Sequence, residues 1–179
     1  CGRRNREFDI KARGEGAAVQ SAMLESDDGL IFKTRAIFQE VRGDETVFQF
    51  ERDGSIIAIG RRGGSKAQLL KSKYPWTDWE RSEMDRYIGG PLLLKWGGRY
   101  IAGGRHSVPG EGPRTSMYWL VDDELHEFAR LPSAGDNSYP GFIEFSPTKA
   151  LMSWYSSHEK DENGKSITAI YLADLSIED

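Results

Sequence analysis

The chain has 179 residues, 38% hydrophobic and 29% charged, which suits one compact soluble β domain and carries no signature of disorder. Lys+Arg number 24 against 28 Asp+Glu, a net charge of −4 with no basic run, which argues against nucleic acid as a partner. No stretch approaches the roughly 20 apolar residues of a membrane span, no signal-peptide pattern is visible, and the single Cys1 cannot form an intrachain disulfide.

In chain order, the first residues, CGRR, match the end of a unit that recurs downstream (IGRR at Ile59 to Arg62), so the chain is expected to begin inside a repeat. Cys1 thus sits where a strand should be, which favours truncation over a lipid-anchored N-terminus. The runs AAVQSAMLES and FKTRAIF read as the last two strands of one copy, spanning 1–42. A complete copy covers 43–88, with the hairpin ETVFQFERDGSIIAIGR followed by AQLLKSKY and WERSEM. Another covers 89–136, with PLLLKWGGRYIAGGR, TSMYWLVDD and LHEFARLP. The last, 137–179, has YPGFIEFSPTKALMSWYS and ITAIYLADL but no fourth strand. HSVPGEGPRT and the charged KDENGK are expected to be long loops between strands, the second a solvated one.

Phe50, Trp96 and Phe145 mark a period within the ~40–50 residues of a four-stranded propeller blade. The predicted fold is therefore all-β: a partial β-propeller of four-stranded antiparallel blades, two complete and two partial. Such an arc leaves raw edges and apolar flanks, so a missing propeller half or self-association is expected.

The hairpins also predict a site. A tight hairpin sets the start of its first strand beside the end of its second, which pairs Glu45 with Arg61, Pro91 with Arg105 and Tyr139 with Tyr155. Radially arranged blades would bring these ends to one face. Clustered arginines are costly unless an anion occupies the place, and guanidinium forks match a carboxylate, so the expected ligand is a glycan bearing one. A carboxylate at the reacting carbon would repel an acidic nucleophile; a tyrosine activated by a carboxylate base would not be repelled, and Glu45 with Tyr139 could supply that pair. The five Trp and seven Tyr suit strands and could also stack on sugar rings.

This order of glutamate, hairpin-end arginine, arginine one copy later and strand-opening tyrosine resembles the C-terminal part of the sialidases, six-bladed propellers that release terminal sialic acid with retention. The resemblance implies a nucleophile at Tyr139, its polarising base at Glu45, and carboxylate-binding arginines at Arg61 and Arg105; sialidases are the glycosidases with a tyrosine nucleophile. It spans the whole chain but about half of a family member, so the acid/base aspartate and the first triad arginine would lie upstream. Arg3 is the repeat counterpart of Arg61, and Pro140 and Gly141 stand where the family has a serine-rich run. ESDDGLIF resembles a degenerate Asp-box, with Asp27, Gly29 and Phe32 in the motif positions and Glu25 replacing the serine; such turns serve folding.

Other residues join the expected site with alternatives open. Asp136 could contact substrate or be a turn residue in AGDNS, and His158, with Glu159, could contact substrate or lie in an exposed loop. Arg62 competes with Arg61 for the inward position, and His106 should face away from Arg105. Neither cofactor nor metal is called for, and the resemblance implies a secreted or periplasmic setting. The leading functional expectation is a sialidase-like exo-glycoside hydrolase acting on terminal acidic sugars. The alternatives are a non-catalytic carbohydrate- or protein-binding propeller and an enzyme of the same architecture acting on another glycan.

Overall fold

A computed structural model describes residues 2–5 and 19–178, with side chains for 19–178. Cys1 and the Ala17–Ala18 start of an expected strand lie outside the described residues, as does the side chain of Arg3. Among the described residues there is no helix, hence none long and apolar enough to cross a membrane. The fold is all-β, in four antiparallel sheets of consecutive strands.

Two compact units divide the chain, Cys1–Glu83 and Met84–Asp179. The first holds a three-stranded sheet, β1 (Gly2–Asn5), β2 (Val19–Glu25) and β3 (Lys33–Gln39), and a four-stranded one, β4 (Thr46–Phe50), β5 (Ile56–Arg62), β6 (Ser65–Ser72) and β7 (Glu80–Glu83). The second holds β8 (Gly89–Trp96), β9 (Arg99–Val108), β10 (Gly112–Val121) and β11 (Glu124–Arg130) in one sheet, and β12 (Asn137–Ser146), β13 (Lys149–Lys160) and β14 (Ser166–Ser176) in the other.

Period-two alternation decides which side chains each sheet buries. In the first unit, Phe38 of β3 packs with Ile56, Ala58, Leu70 and Trp79, and meets Phe48 edge-on at 5.1 Å. In the second, Trp96, Ile101 and Met117 of one sheet pack with Ala150, Met152 and Trp154 of the other. Both tryptophans there are buried with their indole N–H satisfied, Trp96 donating to the Ser146 carbonyl and Trp154 to the Pro132 carbonyl, each at 3.0 Å.

Two local expectations are corrected. HSVPGEGPRT is mostly strand rather than loop: β9 runs to Val108 and β10 begins at Gly112, with Pro113 opposite Ser107 and Arg114 opposite His106. Glycine makes that turn tight, Gly110 and Gly112 both having φ of 79°. The acidic turn after β2 is built one residue later than the motif suggests. Ser26 Oγ accepts from Gly29 N at 2.8 Å, and Asp28 Oδ1 accepts from Leu30 N and Ile31 N, both at 2.8 Å. These donors, Ile31 first, hold the Asp28 carboxyl below its ordinary value. Asp27 points to solvent, its nearest cation being Lys33 at 3.7 Å.

Met152 is fully buried between the two sheets of the second unit, whereas Leu172 on β14 is 67% exposed. Met152→Ala should lower unfolding free energy in urea by about 2–4 kcal/mol through lost burial and a residual cavity. Leu172→Ala should change it by no more than about 0.5 kcal/mol.

Candidate functional site

In the first unit the Glu45–Arg61 pair forms where hairpin geometry puts it. Arg61 N donates to the Glu45 carbonyl at 2.8 Å, and its guanidinium donates to Glu45 Oε2 at 3.0 Å while Nε lies 3.3 Å from Asp44 Oδ2. Alternation sends Arg62 elsewhere, to Glu83 at 3.3 Å. Beneath Arg61 lies Gln39, fully buried on β3, whose amide donates to the Arg61 carbonyl at 3.2 Å. Gln39 Oε1 accepts from Ser21 Oγ at 3.0 Å and Thr46 Oγ1 at 3.3 Å. Position 60 must be glycine for this network to close, since a Cβ there would stand 2.5 Å from the Gln39 amide nitrogen.

The second unit carries the other cluster. Arg105, near the end of β9, pairs in register with Gly89 and not with Pro91: the regular hairpin count from Trp96–Arg99 leads to Gly90, and a bulge between Gly89 and Leu92 moves the partner one residue further. The Arg105 guanidinium donates to Asp136 Oδ1 at 2.9 Å, and the Tyr155 hydroxyl donates to that same oxygen at 2.8 Å. Tyr139 stacks on Tyr155, ring centroids 6.0 Å apart and planes 21° from parallel. Burial opposes the Arg105 charge, yet the hydrogen bond with Tyr87 and the neighbouring Tyr155 and Asp136 prevail, leaving its pKa raised. The Tyr155 phenol is pushed up to about 12, first by burial and then by the hydrogen bond to Asp136 and its charge.

Backbone strain sits at the same place. β12 bulges between Ser138 and Gly141, and Tyr139 has φ of 48°, a left-handed conformation uncommon for a bulky residue, with its side chain 57% exposed. Buried Ser138 pins the bulge: its Oγ donates to the Gly89 carbonyl and accepts from Arg105 N at 3.2 Å. Asn137, also buried, anchors the preceding loop by accepting from Thr115 Oγ1 at 2.7 Å and donating to the Gly135 carbonyl at 3.0 Å. Ser157 N donates to the Asp136 carbonyl at 2.9 Å. Asp136 is thus a fixed turn residue whose carboxylate nevertheless takes part in the cluster.

His158 does not join it. Its Nδ1 lies 3.0 Å from Ser156 Oγ and its ring packs on Tyr171 at 4.6 Å, on the side of β13 that carries Trp154. His106 faces away from Arg105, as alternation requires, lying 3.1 Å from Ser116 Oγ and 3.6 Å from Glu127, with burial pushing its pKa down. Sequence reasoning missed Asp44, Ser138 and Tyr87. Asp44 and Ser138 directly precede Glu45 and Tyr139, so adjacency to the expected site was the available signal. Among the described residues no group of three or more His, Cys, Asp or Glu could hold a metal ion.

No family model matches this chain, and no curated protein matches it. Among solved structures it is similar to a protein of unknown function from Dyadobacter fermentans DSM 18053, with TM-score 0.70 and 18% identity over 90% of this chain. The match takes in 47% of that protein, so the chain spans about half its length. At this identity the likeness shows a shared fold alone.

The Tyr155 phenol should titrate at about 12, followed by NMR of the tyrosine Cζ resonances. Its stabilising contribution is fully present below the ordinary phenol value of 10.0 and is lost as pH rises through about 12, because the folded state binds this proton more tightly. Asp136→Asn should move the titration down toward 10.0 without reaching it, since burial remains.

Proposed function

We propose that the four sheets are blades of a partial, sialidase-like β-propeller and that the chain contributes to an exo-glycoside hydrolase acting on terminal acidic sugars. The observation that carries this reading is the cluster in the second unit. An exposed tyrosine held in a left-handed bulge stacks on a second tyrosine, whose hydroxyl shares one carboxylate oxygen with an arginine. Aromatic faces of this kind suit the apolar face of a pyranose ring, and Arg105 suits a sugar carboxylate that displaces Asp136 from its fork.

In this reading the Tyr139 oxygen bonds to the anomeric carbon as the glycosidic bond breaks, and the departing alcohol takes its proton from the acid/base aspartate that the resemblance puts upstream. Water, giving a proton back to that aspartate, then releases the sugar with retention. The phenol proton goes to a carboxylate base, the role that the resemblance gives to Glu45. Arg105 binds the carboxylate, a role that the resemblance also gives to Arg61, while Tyr155 and Asp136 set the position of the Tyr139 ring and of Arg105. His158 serves as a packing residue on Tyr171 rather than a substrate contact.

A second reading, a non-catalytic carbohydrate-binding propeller, is favoured by one observation. Arg61 and Arg105 already carry carboxylates of the chain itself, Asp44 with Glu45 and Asp136 respectively. Neither arginine therefore requires an external anion for neutralisation.

Turnover of a 4-methylumbelliferyl α-sialoside by a full-length relative of this chain separates the two, since the acid/base aspartate and first triad arginine of the resemblance would lie upstream and the chain alone is expected to be inactive. The hydrolase reading expects turnover that Tyr139→Phe abolishes while circular dichroism stays unchanged, and that Arg105→Ala weakens by about 2–5 kcal/mol in kcat/KM. Binding of the free acid without turnover would establish the second reading; neither binding nor turnover would remove both.

A further inference from the structure

A second aromatic group lies at the other end of the β4–β7 sheet from Glu45 and Arg61. Phe50 pairs with Ile56 and Ile56 with Ser72, so the turn after β4 and the loop after β6 emerge together, away from the Arg61 end. There Tyr74 is 71% exposed and Phe50 53%, and both meet Trp76 edge-to-face, at 5.3 and 5.8 Å. Two exposed rings therefore meet one indole at the surface.

The group is rigid. Trp76 has φ of 64°, its N–H donates to the Lys73 carbonyl at 2.7 Å, and its indole donates to the Gly54 carbonyl at 2.8 Å. Its own carbonyl accepts from the Trp79 indole at 3.0 Å, which ties the loop to the buried core. A left-handed tryptophan persists only where its surroundings over-determine it, and a ring platform fixed in advance loses little freedom when a ligand arrives.

Charge at the perimeter is compensated. Arg35 lies 5.9 Å from the Tyr74 ring centre, donates to the Pro75 carbonyl at 2.7 Å and pairs with Glu25 at 2.6 Å. Lys73 lies within electrostatic reach of Asp53, whose carboxyl is held below its ordinary value, chiefly by its hydrogen bonds from Ser55. A cationic ligand would meet a guanidinium already at the ring, and an anionic one would meet Glu25 and Asp53. Both indole N–H groups are committed to backbone carbonyls, so neither can donate to the carbonyls that a proline-rich peptide presents. A neutral sugar suits what remains: apolar C–H faces for the rings, hydroxyls for the Arg35–Glu25 fork.

We propose that Phe50, Tyr74 and Trp76 form a binding site for a neutral oligosaccharide, separate from the acidic-sugar cluster and not resting on that reading. The test is calorimetric titration of the chain with cellohexaose, chitohexaose and laminarihexaose, with decaproline as the peptide probe. At least one hexasaccharide should bind in the millimolar range or tighter. Tyr74→Ala and Phe50→Ala should each weaken it about 3- to 10-fold, as expected for losing one stacked ring. Tyr74→Phe should retain binding because the ring face makes the contact, and Tyr139→Ala, which removes the ring of the other cluster, should leave it unchanged. Failure of all three hexasaccharides, insensitivity to both alanine variants, or binding of decaproline in their place would overturn the proposal.

Discussion

One carboxylate oxygen organises the second unit's cluster. Asp136 Oδ1 accepts from Arg105 and from Tyr155 at once, and those two residues belong to strands of different sheets, β9 and β13. The shared acceptor fixes the guanidinium of one and the phenol of the other, and the Tyr155 ring supports Tyr139. Because the carboxylate is exposed while Arg105 is only about a quarter so, Asp136 can swing into solvent, but the guanidinium that it leaves is largely buried and calls for another anion in its place.

The chain reaches this arrangement through irregular backbone rather than through regular pairing. Without the bulge between Gly89 and Leu92, the opposite register position to Arg105 would fall on Gly90 rather than Gly89; without the one between Ser138 and Gly141, Tyr139 would continue a straight strand. Gly90 lets the two distortions meet, since a Cβ on it would stand 2.6 Å from Ser138 Oγ and its φ is 54°. Ser138 then links them by donating to the Gly89 carbonyl and accepting from Arg105 N.

Much of this was legible in the sequence because strand alternation and hairpin closure are local rules. Glu45 beside Arg61, Arg62 sent to a different partner and Tyr139 beside Tyr155 all follow from counting along two paired strands. The Pro91–Arg105 pairing missed by two residues: the count from the Trp96–Arg99 turn already leads to Gly90, and the bulge, at the Gly-Gly-Pro of GGPLLLKW, moves the partner to Gly89. Asp136 was harder still: its role depends on a loop held by Asn137, Ser133 and Ser156, whose contacts lie some 18 to 22 residues away in sequence. The acidic turn after β2 misled in another way. Ser26, Asp27 and Asp28 offer two registers for the same motif, and hydrogen bonding selects the one that composition does not mark.

The central claim is that Arg105 can exchange the chain's own carboxylate for that of a sugar. Titrating N-acetylneuraminic acid into the chain and into its Asp136→Asn variant at neutral pH tests it most directly. The account predicts tighter binding to the variant, with Arg105→Ala abolishing binding in both backgrounds. Equal affinity for the chain and the variant, or binding that survives loss of Arg105, would contradict it.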